Sequence, residues 1–183
     1  MNALSRLRDV VAQANGYSLA LRPAAPPEAI AACESALGSV LSRSLRELLL
    51  ETDGFDLVDE HGSFLRLYSS AEIASSTTDH RKIWRDEPGD VTWGDLISIA
   101  RSDHTESEYG VRPPKAGSDE SPLYEIWPDG WDTWQTDPPL APTLSAWFAT
   151  IADAIVSGDH ERVYDTMWLG PTNPDDSHHS SSK

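Results

Sequence analysis

The segment from Thr143 to Gly158 limits what this chain can fold into more than any other. Leu144, Trp147, Phe148, Ile151, Ile155 and Val156 recur at helical spacing and are expected to share one broad apolar face. Thr143 is placed to cap the first turn, and Gly158 to end the helix. A helix with so large an apolar face is unstable alone and must lie against other elements. The rest of the sequence has to supply that surface.

Upstream patterns supply it. Met1 to Asn15 reads as a short helix, with Leu4, Leu7, Val10 or Val11 and Ala14 at helical spacing and Asn15-Gly16 as its stop. Tyr17 to Arg22 is a strand or an extended lead-in, and the proline-rich run Arg22 to Pro27 is a linker. Pro27 opens a helix whose inner face is Ala29, Ile30, Cys33, Ala36 and Leu37, ended by Gly38. A further helix, capped by Ser42 or Ser44, carries a stripe of Leu41, Leu45, Leu48, Leu49 and Thr52. Asp53-Gly54 ends it, with Phe55 folding back on its last turn.

Short strands follow. Phe64 to Tyr68 alternates, with Leu65 and Leu67 on one side and Arg66 opposite. Ser69 and Glu72 have the spacing of a capping box, and Ile73 points inward. Thr77 to Gly89 is ambiguous, with a short helix around His80 to Trp84. Leu96 to Ala100, Tyr109 to Val111, Leu123 to Trp127 and Trp131 to Gln135 or Thr136 are strand candidates, the last two joined as a hairpin. Glu161 to Trp168 reads as a last helix, and Asn173 to Lys183 as a disordered tail. These elements predict an α+β protein with a central, largely antiparallel sheet packed against helices. Residues 1–26 form an N-terminal helix and linker, 27–170 the main domain and 171–183 the tail.

Charge restricts function more than fold. The 183 residues hold 30 acidic and 14 basic side chains, a net charge of −16. Such a field repels nucleic acid and anionic membranes and speeds encounter with basic partners. Acidity also serves solubility, so charge alone does not decide between the two. No stretch approaches the ~20 apolar residues of a membrane helix, no secretory signal is visible, and a cytoplasmic location is expected. The single cysteine, Cys33, sits in a helical apolar pattern and is expected to be buried and inert.

No glycine-rich phosphate loop, metalloprotease helix or serine nucleophile elbow occurs. Asp103, His104, Glu106 and Glu108 have the composition of a metal site but no recognised spacing, and read as a solvated acidic turn. Asp79, His80 and Arg81 read as surface chemistry. Asp129 and Asp132 flank a Trp127–Trp134 hairpin. That pairing suits sugar chemistry less well than a protein interface, where aromatics anchor and charges steer. Catalytic residues, metal and cofactor are therefore expected to be absent.

The run Pro27 to Gly38, followed by Leu41-Ser42-Arg43-Ser44-Leu45-Arg46-Glu47-Leu48-Leu49 and Asp53-Gly54, resembles the SMI1/KNR4 group of the SUKH superfamily. Ser42 stands where that group usually has proline. Phe64 to Ile73, Leu96 to Ala100, the Trp127 to Trp134 hairpin and the segment Leu140 to Ile155 continue the resemblance. It implies an SMI1/KNR4-like α+β fold and function by protein binding. Bacterial members are commonly immunity proteins that neutralise toxins, nucleases among them, and fungal relatives serve cell-wall regulation. The expected partner is thus a basic protein such as a nuclease or other toxin domain. The expected contacts are Asp103, Glu106, Glu108, Asp119, Glu120, Asp129, Trp131 and Asp132. Two other readings stay open: a regulatory or scaffold protein of the same fold, and a hydrolase with a carboxylate-based site.

Overall fold

The computed structural model describes residues 3–85, 96–103, 107–114, 120–126, 139–159 and 163. Its elements run α1 (Ala3–Gln13), β1 (Tyr17–Leu21), α2 (Pro27–Leu37), α3 (Arg43–Glu51), β2 (Phe55–Asp59), β3 (Phe64–Leu67), α4 (Ser70–Arg85), β4 (Ile97–Ser102), β5 (Glu108–Val111), β6 (Leu123–Ile126) and α5 (Leu144–Ser157). The six strands form one sheet in chain order, every described pair antiparallel. This is the α+β plan with a central antiparallel sheet that the sequence predicts.

Strand parity separates the two faces of the sheet. Leu19 and Leu21 lie opposite Leu57 and Phe55, which in turn lie opposite Leu65 and Leu67. Leu67 continues the row to Ala100, and Ala100 to Tyr109. This row meets α5, whose Phe148 ring lies 5.7 Å from Phe55 and whose Trp147 ring lies 5.1 Å from Tyr109. Helix α1 packs on α5, α2 packs on α4, and α3 touches both α2 and α5. Val156 does not join the apolar face of α5 but is 70% exposed. At 100° per residue it points about 120° away from Leu144, whereas Ile155 returns to within about 20°. Ala36 on α2 is exposed for the same reason, and Ile30, Cys33 and Leu37 form the buried face.

Two elements differ from expectation. Phe55 opens a strand, β2, where two aspartates mask the alternation of buried Phe55 and Leu57. Helix α4 runs unbroken through Ser75-Ser76-Thr77-Thr78, residues that usually weaken a helix interior. All four hydroxyls are engaged, that of Ser76 with the Tyr68 phenol. Ser75 donates to the Glu72 carbonyl, Thr78 donates to the Ala74 carbonyl, and Thr77 accepts from the Ser98 N–H of β4 at 3.0 Å. The expected strand at Trp131 to Gln135 lies outside the described residues, as does the last helix apart from the buried Val163.

Helix ends follow the sequence closely. Ser42 caps α3 by accepting from the Leu45 N–H, and Thr143 caps α5 by accepting from the Ala146 N–H. Ser42 has φ −60°, the value proline would fix, so the family's proline and this serine suit the same backbone. Ser69 and Glu72 form the reciprocal capping box of α4.

Four chain segments meet at Asp53-Gly54. Asp53 Oδ1 accepts from the Ser70 N–H at 2.6 Å, at the start of α4. The Asp53 N–H donates to the Pro23 carbonyl, and the Gly54 carbonyl accepts from the Arg22 N–H. The Thr52 hydroxyl bonds the Arg22 and Gly54 carbonyls. Gly54 has φ +92°, and a Cβ there would stand 2.6 Å from the Leu67 carbonyl oxygen and 3.0 Å from the Ser69 nitrogen. Both clashes are with backbone, which cannot step aside. Gly54→Ala is therefore expected to destabilise the protein by about 2 kcal/mol or more. Denaturant unfolding checks this, with Gly62→Ala as the comparison, since Gly62 shares a positive φ but has open space around it.

Candidate functional site

The second face of the sheet carries the side chains of opposite parity. On β1 to β3 these are Ser18, Ala20, Asp56, Val58, Phe64 and Arg66, joined by Arg101 of β4 and Glu108 of β5, all exposed or half-buried. Towards β6 the same face is covered, with Ser98 and Tyr124 buried. Beside the β2–β3 turn this face carries the Phe64 ring, with the Arg66 guanidinium 5.5 Å and the Arg101 guanidinium 5.4 Å from its centroid. Such stacking holds a half-exposed aromatic in a fixed orientation.

Charges on this face are paired in sequence. Arg66 Nε donates to Asp56 at 2.7 Å across the β2–β3 ladder, and its guanidinium lies 4.0 Å from Glu72. Glu72 also accepts from Arg22 and from the backbone and hydroxyl of Ser69. Partial burial opposes ionisation of Glu72, but these donors outweigh it and hold its carboxyl below the ordinary glutamate value of 4.5. Elsewhere Arg6 pairs with Asp153, Arg46 with Glu34 at 2.5 Å and Lys82 with Asp79 at 3.0 Å. Among the described residues, Arg6, Arg22, Arg46, Arg66 and Lys82 are each engaged by a carboxylate.

Of the expected contact residues, Asp103, Glu108 and Glu120 are described, and they do not form one surface. Asp103 and Glu108 line a shallow depression with Arg101 and Ser102 at the edge of the open face. Glu120 lines a different one, with Leu4 of α1, Glu47 and Glu51 of α3 and Leu144 of α5. Glu106, Asp119, Asp129, Trp131 and Asp132 lie outside the described residues.

Two of these carboxylates also hold the fold. Asp103 Oδ1 accepts from the Phe64 N–H at 2.6 Å and fixes the start of β3. Glu108 is the hub of a polar cluster under α4. It accepts from the Ser98 hydroxyl at 2.7 Å and the Tyr68 hydroxyl at 3.4 Å, and His80 Nε2 lies 3.3 Å away. Burial first, and then the Glu108 charge, raise the Tyr68 phenol far above its ordinary range, so it stays a neutral donor. In sequence His80 stands in a polar cluster with Asp79 and Arg81, read as surface chemistry or helix capping. The structure instead joins it to Glu108, 28 positions on, while Arg81 reaches back to the Leu37 carbonyl at the end of α2.

Phe64 and Arg101 are the surface residues that sequence reasoning missed. Parity marks the first: once Leu65 and Leu67 are inside, Phe64 must share the outer side with Arg66. Cys33 is buried, as expected. Burial, with Glu34 and Asp53 nearby, pushes its thiol up to about 11. Among the described residues no group of three or more His, Cys, Asp or Glu side chains is placed to hold a metal ion, and no helix is long and apolar enough to cross a membrane.

This geometry defines a class: an α+β protein whose antiparallel meander carries α5 on one face and, on the other, α4 over β4 beside an open patch of charged and aromatic side chains. Residues 24–150 match the model of the SMI1/KNR4 family (SUKH-1), and the chain belongs to that family. None of the curated proteins matches it. The family's sequence signals acquire physical reasons here. The acidic residue before Leu37-Gly38, Glu34, accepts from Arg46 and from the Leu41 N–H, which fastens α2 to the start of α3.

Two measurements follow. Because the Glu72 carboxyl is held below 4.5 in the folded chain, its contribution to stability is fully present above that pH and is lost as pH falls through the depressed value. Glu72→Gln is expected to flatten the acid limb of a plot of stability against pH. Cys33 is expected to react with a thiol reagent at pH 8 much more slowly in native protein than in denaturant, read by absorbance of the released thiolate.

Proposed function

We propose that this protein acts by binding another protein, as an immunity protein that neutralises a basic toxin domain, a nuclease among the candidates. One observation supports this above the rest. The outer sheet face presents an aromatic side chain with two guanidiniums against its ring, in a molecule whose net charge is −16. A rigid aromatic flanked by arginine is the composition of an interface anchor. The acidic excess of the whole chain speeds encounter with a basic partner. A nuclease needs a basic groove to hold phosphates, so an acidic protein seated there would exclude substrate.

Asp103 and Glu108, with Arg101, form the acidic edge of the proposed surface. Glu106, Asp119, Glu120, Asp129, Trp131 and Asp132 extend the proposal to neighbouring loops. Non-catalytic action and a cytoplasmic location belong to the same reading.

The test begins with capture of the partner at low salt from the organism that makes the protein, followed by rescue of cells expressing that partner. Phe64→Ala is expected to weaken binding about tenfold or more while leaving the circular dichroism spectrum unchanged. Affinity should also fall steeply as salt is added. Phe64→Ala is a cleaner probe than reversal of Asp103 or Glu108, because both carboxylates also hold backbone or core hydroxyls. Binding that ignores both salt and Phe64 would overturn the electrostatic, open-face reading. A partner whose activity is unaffected by binding would instead favour a regulatory or scaffold role.

A further inference from the structure

The first strand ends the sheet. β1 pairs only with β2 among the described strands, and its sequence Tyr17-Ser-Leu-Ala-Leu21 has no charge, no proline and no bulge. Natural edge strands usually carry at least one such guard, because an open row of backbone donors and acceptors recruits other strands.

The orientation of that row follows from one hydrogen bond. The Arg22 N–H donates to the Gly54 carbonyl, which continues the β1–β2 register. Antiparallel pairing alternates, so the even-numbered residues 22, 20 and 18 bond toward β2. The backbone groups of Leu19 and Leu21 therefore point away from the sheet. Ser18, Ala20 and Leu21 are exposed, Leu21 at 36%.

We propose that β1 pairs antiparallel with β1 of a second copy of this chain, centred on Leu19 opposite Leu19, to give one continuous sheet across a two-fold axis. Only registers that pair odd with odd residues bring outward-facing groups together, and the Leu19–Leu19 register overlaps the whole strand. In it every side chain finds a suitable neighbour. Leu21 meets Tyr17 on the helix-covered face, and Ala20 meets Ser18 on the open one, with the same contacts repeated by symmetry. The ends match in charge as well. Glu60 lies beside Gly16, its carboxylate oxygen 3.6 Å from where a Cβ would stand. Residue 16 falls opposite Arg22 of the other copy. No charged residue lies within the strand itself. Repulsion between two chains of net charge −16 acts over longer range and is screened by salt.

Sedimentation equilibrium over a concentration series, at low and high salt, tests this. A two-chain mass is expected, with association strengthened by salt, the opposite of the salt response expected for a basic partner. Ser18→Glu with Ala20→Glu sets glutamates opposite one another on an exposed face and should raise the dissociation constant about tenfold or more without changing the circular dichroism spectrum. Leu19→Cys should form a disulfide between copies on mild oxidation while the buried Cys33 does not react. A single-chain mass at every concentration and salt would overturn the proposal. So would a two-chain mass that the double glutamate variant leaves intact. Neither result bears on toxin binding by the open face.

Discussion

The meeting of Asp53-Gly54 with the end of β3 is the constraint on which the rest of the structure depends. At one point the chain leaves α3, enters β2, receives the linker before α2 and sets the first turn of α4. The glycine lets the backbone of residue 54 approach that of residues 67–69 more closely than any side chain allows. The aspartate turns that proximity into a hydrogen bond at a helix start, where a backbone N–H needs an acceptor. The position of β2 relative to β3 and the angle at which α4 leaves the sheet are both fixed there. The open face follows from the same geometry, because α4 departs over β4 and leaves the outer sides of β2 and β3 uncovered by described helices.

A dipeptide that reads as a helix stop is thus a junction of four segments, and sequence could reveal only the first of its roles. Local signals were legible because their causes are local. The Ser42 and Thr143 caps, the Ser69–Glu72 box and the buried stripe of Leu45, Leu48 and Leu49 all act within a turn or two of helix. β2 was not legible, because Asp56 and Asp59 are poor strand residues until Arg66 arrives on the neighbouring strand to pair with Asp56. The continuity of α4 was hidden for a similar reason. Its serine and threonine run is supported in part by the Ser98 N–H on β4, a contact that exists only in the folded state.

Charge showed the same limit. The excess of acid is plain from composition, yet its distribution depends on which carboxylates are occupied. Glu34, Asp56 and Glu72 carry arginines, so their charges are locally compensated, whereas Glu108 holds its place through three polar partners. Asp103 and Glu108 come together as sequence proximity suggests. Glu120, only twelve positions beyond Glu108, faces α1, α3 and α5 instead. Nearness along a strand-rich chain is a poor guide to a shared surface, because each reversal of direction chooses a new side.

The packing of α1 against α5 has a bearing on synthesis. Leu4, Leu7 and Val11 are buried, and α5 is the principal helix that covers them. A ribosome that has released the six described strands still holds residues 144–157 in its tunnel or has yet to make them. Until they emerge, an early helix presents its apolar face to solvent, and the inner side of the meander lacks Trp147 and Phe148. The sheet can grow strand by strand as the chain appears, each new strand beside the one before. Its closure waits for α5, and the growing chain is most exposed to chaperones and to aggregation in the interval between β6 and that helix.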